Sequence, residues 1–114
     1  MEMTNALASL SALGHESRLR AFRRLVEAGP VGMPVGELRD FLDVPPATLT
    51  AHLNVLRSAG LVIGQREGRV IRVRANYEQM NQLLAFLTEN CCAGTASCTP
   101  AVACAPNRKK GTSR

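Results

Sequence analysis

The stretch PPATLTAHLNVLRSAGLVIGQREGRVIRVRA, residues 45–75, constrains the fold more than any other part of the chain. Pro45-Pro46 breaks the chain at its start, and Gly60 closes its first half. Between them Leu49, Leu53 and Leu56 recur at helical spacing, which predicts a helix with an apolar underside. After Gly60 the pattern changes. LVI is an apolar run, a turn holds Glu67-Gly68, and Ile71 and Val73 then share one face of an alternating run. That is the signature of a two-stranded hairpin.

The flanking segments supply more helices. Residues 4–13 carry Leu7, Leu10 and Leu13 on one stripe, opened by a Thr4 or Asn5 cap. Residues 15–29 place Leu19, Phe22, Leu25 and Val26 on one face and stop at Gly29-Pro30. After PVGMP, read as a loop, VGELRDFLDV buries Val35, Leu38, Phe41 and Leu42 as a short third helix. Residues 77–89 set Tyr77, Met80, Leu83, Leu84 and Leu87 at helical spacing, a fifth helix. The expected fold is mainly α with a small β-hairpin, and a helix pair followed by a hairpin makes a winged helix-turn-helix. Residues 1–92 form one domain for DNA binding and dimerisation. Residues 93–114, with Pro100, Pro106 and the basic end NRKKGTSR, read as a flexible tail carrying part of the thiol cluster.

Charge points to the partner. The formal net charge is +5, and twelve of the fourteen cations are arginine, whose planar guanidinium grips phosphate oxygens bidentately. In such a fold the second helix of the pair enters the DNA major groove, with small polar side chains at its first turn. Pro46, Ala47, Thr48, Thr50, Ala51 and His52 occupy that turn and the next. The threonines equally suit simple helix capping, and His52 suits a partly buried structural position. Arg66 and Arg69 flank the hairpin turn, where wings reach a minor groove or the backbone. Arg72 and Arg74 suit strand solvation as well as DNA contact. Arg18, Arg20, Arg23 and Arg24 are expected on a solvated helix face.

Other classes fit poorly. An enzyme needs a base beside its nucleophile, yet His15 and His52, the only histidines, lie far upstream of the thiols, and no phosphate-cradling glycine loop appears. No stretch approaches the roughly 18 apolar residues of a membrane span. The opening MEMTNALASLSALG lacks the basic and apolar regions of a secretory leader, so a cytoplasmic location is expected. Thiols stay reduced there, which disfavours a disulfide framework.

VPPATLTAHLNVLRSAGLV, together with LGHESRLRAFRRLVEAGP, resembles the ArsR family of bacterial metalloregulatory repressors, across roughly residues 5–92. The resemblance implies a homodimer joined through its first and last helices, binding double-stranded operator DNA. It also implies a metal or metalloid inducer. The best-known arsenic sensors of the family carry a Cys-Val-Cys in the helix before the reading helix. Here that stretch is GELRDFLDV, with Leu38, Arg39 and Asp40 and no thiol.

All four cysteines instead fall within residues 91–104, after ninety residues with none. FLTENCCAGTASC is similar to a family subgroup whose arsenite site is a vicinal cysteine pair plus a third thiol. Cys91, Cys92 and Cys98 match, and Cys104 is an extra. Soft thiolates favour soft As(III), and Sb(III) shares that chemistry. Zinc in a Cys₄ site lacks the usual paired Cys-x₂₋₄-Cys knuckles. Zinc or cadmium sensing and a reversible disulfide switch stay open as alternatives, as does metal buffering.

Overall fold

The structure is a computed structural model and describes residues 1–91; Cys92 and the expected tail, residues 93–114, lie outside the described residues. Among these, five helices and three strands run in the order α1 (Met3–Leu13), α2 (Glu16–Ala28), β1 (Met33–Pro34), α3 (Val35–Leu42), α4 (Pro46–Ser58), β2 (Val62–Glu67), β3 (Val70–Ala75) and α5 (Tyr77–Leu87). This is the winged helix-turn-helix the sequence predicts. None of the described helices is long and apolar enough to cross a membrane.

The reading pair is set by backbone chemistry. α3 ends where Asp43 adopts the left-handed conformation at φ 55°, its amide donating to the Arg39 carbonyl. Pro45 is extended and Pro46 takes the first position of α4, where a missing N–H costs nothing. Leu38 and Leu42 of α3 then meet Leu49, Leu53 and Leu56 of α4, all buried. Leu25, Ala21 and Phe22 of α2 complete this core with Leu61, Val62, Val73 and Ala75 from the sheet side. Each buried leucine contributes about 1.5–3 kcal/mol relative to exposure.

Four expectations need correction. The segment read as a loop contributes a strand: Met33 and Pro34 pair with Val73 and Arg72, giving a three-stranded antiparallel sheet in the order β1-β3-β2. Gly32 (φ +72°) permits this approach, because a Cβ there would run into the Val73 carbonyl. Phe41, expected in the core, is 46% exposed. The buried stripe of α3 is only Leu38 and Leu42, and Phe41 lies at its margin beneath the guanidinium groups of Arg20 and Arg24, 5.6 and 5.4 Å from the ring centroid. Leu19 likewise sits 43% exposed at the edge of the α2 face. The helix α1 starts at Met3, with Glu2 as an N-cap that makes no side-chain bond, so neither Thr4 nor Asn5 caps it.

The leucine stripe of α1 points away from the core. Its buried face is Ala6, Ser9 and Ala12, small residues that let α1 lie close to its neighbours, while Leu7 and Leu10 face outward.

Candidate nucleic-acid interface

α4 presents two outward stripes. Pro46, Ala47, Thr48, Thr50 and Ala51 are all exposed around its first turns, above the buried Leu49 and Leu53. Neither threonine caps the helix, since Pro45 occupies the cap position and no side-chain cap bond forms. Their hydroxyls face out of the fold at the end that carries the positive pole of the helix.

Thr50, Asn54 and Arg57 continue as one stripe at positions i, i+4 and i+7. This stripe borders a cleft of about 330 Å³ between α4 and the wing. Thr50, Arg57, Gln65 and Arg66 supply its polar edge, with Val35 and Ile71 among its apolar walls. The Arg57 guanidinium donates to Asn54 Oδ1 at 3.1 Å, which orients it along the helix. Asn54, Arg57 and Gln65 were not singled out from the sequence; Asn54 and Arg57 share the helical stripe of Thr50, while Gln65 joins them only through the fold of the wing.

Wing arginines divide by environment. Arg66 pairs in register with Ile71 on β3, and Arg69 lies in the turn after Gly68, whose φ is +64°. Both are exposed. Arg72 is committed elsewhere: Nε donates to Glu67 Oε1 at 3.2 Å and Nη1 to the Gly32 carbonyl at 3.5 Å, tying the wing to the loop before β1. In α2, Arg18 donates to the Ala12 carbonyl at 2.6 Å, and Arg24 pairs with Glu27 at 3.8 Å. Arg20, over the Phe41 ring, and Arg23 remain exposed, as expected of a solvated face, while Arg18 and Arg24 are half-buried.

The field is local. Residues 46–75 hold five arginines against one acid, whereas residues 1–45 hold five arginines against six acids. Positive potential therefore gathers on α4 and the wing, the elements that form the cleft.

His52 is half-buried, its ring 4.7 Å from that of His15 and tilted by 48°. His15 is the N-cap of α2, with Nδ1 accepting from the Ser17 amide. Burial, then the neighbouring His15 and Arg18, lowers the His52 pKa from the ordinary imidazole value. A neutral ring packed against α2 fits the structural alternative for His52 better than direct contact with bases.

Of the four cysteines, the structure describes Cys91. It follows Asn90, a left-handed residue at φ 59°, and its amide donates to the Thr88 carbonyl at 3.0 Å just past the end of α5. The thiol-bearing residue is half-exposed. Cys92, Cys98 and Cys104 lie outside the described residues. Among the described residues no group of three or more His, Cys, Asp or Glu side chains is placed to hold a metal ion.

One apolar surface remains. Leu7 and Leu10 on α1 and Leu87 on α5 are 58%, 42% and 54% exposed. Leu13, Leu19, Phe22, Val26, Met80 and Leu84 line a depression of about 450 Å³ among α1, α2 and α5.

Comparison with known proteins agrees with this geometry. A family profile described as a helix-turn-helix domain matches residues 13–65. The biofilm growth-associated repressor of Agrobacterium fabrum is 33% identical over 90 residues, 79% of this chain and 74% of the relative. An ArsR-like transcriptional regulator from Rhodococcus sp. RHA1 superposes with a TM-score of 0.64 at 28% identity, over 74% of this chain and 76% of that one. A homodimeric winged helix-turn-helix domain from Mycobacterium bovis shares the fold at a TM-score of 0.63 and 24% identity, over 75% and 77% of the two chains.

Proposed function

Since the chain belongs to the ArsR family of winged helix-turn-helix transcriptional regulators, we propose that it is a homodimeric repressor released from operator DNA by trivalent arsenic. DNA binding and regulation, rather than enzymatic catalysis, follow from membership itself. The proposal adds the inducer, its ligands and the dimer geometry.

The observation that carries the proposal is the placement of the thiols. Residues 1–90 contain no cysteine, and the first thiol, Cys91, appears four residues after α5 ends at Leu87, half-exposed. Cys91 suits a soft-metalloid ligand in exposure and in donor chemistry. Cys92 and Cys98 are the proposed second and third ligands, and Cys104 is an additional candidate. Three thiols match the three exchangeable positions of arsenite, and antimonite offers the same chemistry. The α3 position used by other sensors carries Leu38, Arg39 and Asp40 here, the first buried and the others exposed.

In the metalloid-free dimer, the two α4 helices enter successive major grooves with Thr48, Thr50 and Ala51 at the base edges. Pro46 and Ala47 approach the backbone, and Arg66 and Arg69 neutralise phosphates from the wing. The outward leucines of α1 and α5 form the joint between protomers, as apolar surface of that extent favours burial. Because the thiols follow α5, ligand binding there acts on the joint. A changed joint alters the spacing of the two reading helices, and DNA affinity falls.

The test uses purified, fully reduced protein and the tightest duplex recovered from a randomised-sequence selection. Arsenite should weaken binding, and Cys98→Ser should abolish that response while retaining DNA binding. A methylated trivalent arsenical, with two exchangeable sites, should still act on Cys98→Ser. Release by peroxide, zinc or cadmium with indifference to arsenite would reassign the thiols and leave the DNA reading in place.

A further inference from the structure

The C-terminal end of α4 is clasped by the first turn of α5. The carbonyls of the three residues that follow α4, from its C-cap Ala59 to Leu61, each receive a donor. Gln79 Nε2 donates to the Ala59 carbonyl at 3.3 Å, Asn76 Nδ2 to the Gly60 carbonyl at 2.8 Å, and the Asn76 amide to the Leu61 carbonyl at 2.8 Å. Asn76 is at the same time the N-cap of α5, its Oδ1 accepting from the Gln79 amide at 3.4 Å. Gly60 (φ +81°) has no Cβ, and the Gln79 carboxamide lies where one would make contact, its nearest atom 3.5 Å away.

Gln79 also reaches a third element. The same Nε2 donates to Ser9 Oγ at 3.1 Å, and Ser9, on the inner face of α1, is fully buried. Both hydrogens of one carboxamide nitrogen are thereby used, one on α1 and one on the end of the reading helix. Ser9 is the only polar residue in the buried class among the described residues. A polar group placed there costs desolvation unless it is satisfied, and Gln79 satisfies it.

We infer that Gln79 is a positioning residue for DNA reading: it fixes the end of α4 to α1 and α5 together, so the angle at which α4 enters the groove follows those two helices. Asn76 ties α4 to α5 alone, whereas Gln79 joins all three. Its other consequence rests on the proposed arsenic response. α5 spans about 16 Å from this clasp to the thiol end, so a shift imposed beyond Leu87 arrives at Ala59 through Gln79.

The experiment uses the full chain and two variants. Gln79→Met keeps the side-chain length and removes the donor; Ser9→Ala removes only the α1 tie. Each is measured for melting temperature, dimer content, affinity for the selected duplex and for a scrambled duplex, and the change on adding arsenite. Gln79→Met is expected to weaken the selected duplex by about tenfold, because both Ser9 Oγ and the Ala59 carbonyl lose their donor. Scrambled-duplex affinity should stay within about twofold, because the wing arginines that hold phosphate are untouched. Arsenite should still bind, but its effect on DNA affinity should shrink towards unity. Ser9→Ala should move in the same direction by a smaller factor, and decides the matter if Gln79→Met does not fold.

Wild-type selectivity between the two duplexes in both variants would overturn the inference. So would an equal loss on both duplexes that tracks the melting temperature. If the wild-type chain itself ignores arsenite, the arsenic reading fails by itself, and Gln79 is judged on duplex selectivity alone.

Discussion

Arg66, Arg69 and Arg72 show how little a residue's type alone decides. The sequence places all three around one hairpin turn, yet Arg72 is bonded to Glu67 and to the Gly32 carbonyl while the other two extend into solvent. Arg66→Ala and Arg69→Ala should each weaken DNA binding across all sequences and lower the salt-dependence slope by about one, read from titrations at several salt concentrations. Arg72→Ala should instead lower folding stability by about 0.5–1 kcal/mol in urea unfolding. His52 gives a test in pH. Its folded pKa is depressed, so below about pH 6.5 the unfolded chain accepts a proton that the folded ring resists. Stability is lost as pH falls from about 7 towards 5, and His52→Gln should flatten that part of the melting-temperature profile. The sequence marked His52 as divided between two roles. Only the contact with His15, thirty-seven positions earlier, separates them, and no local pattern encodes that contact.

Among the elements, α2 and α4 were legible from their buried apolar stripes, and α4 was clearest because prolines and a glycine bound it. β1 was not legible. Two residues have no period, and Met33–Pro34 becomes a strand only because β3 offers it an edge. Gly32→Ala should therefore destabilise by about 1–3 kcal/mol, through left-handed backbone strain and collision with the Val73 carbonyl, as measured by urea unfolding. Phe41 failed for a related reason. Helical spacing placed it beside Leu38 and Leu42, but a buried stripe one residue narrower left it to the arginines of α2. The exposure of the first turns of α4 was legible from sequence because it follows directly from the burial of Leu49 and Leu53. The cleft residues Arg57 and Gln65 were not, since they meet only once the wing folds over α4.

At the scale of the whole molecule, two asymmetries determine behaviour. Positive charge gathers on α4 and the wing, and exposed leucines stand on α1, α2 and α5. The first suits the DNA partner of the family; the second is the surface proposed to pair two chains. A glutamate at the second should uncouple them: Leu10→Glu is expected to yield monomer in sedimentation and to weaken duplex binding by at least tenfold, because two half-sites are no longer held by one particle. The cysteine cluster was legible from composition alone, as an abrupt change after ninety thiol-free residues. The proposed effect of that cluster on the dimer belongs to no single element. It is tested most directly by titrating arsenite into the reduced dimer on its selected duplex. Coupling of the usual size predicts an affinity loss of about 5- to 150-fold, absent in Cys98→Ser. Equal affinity with and without arsenite, in fully reduced protein that still binds the duplex, would contradict it.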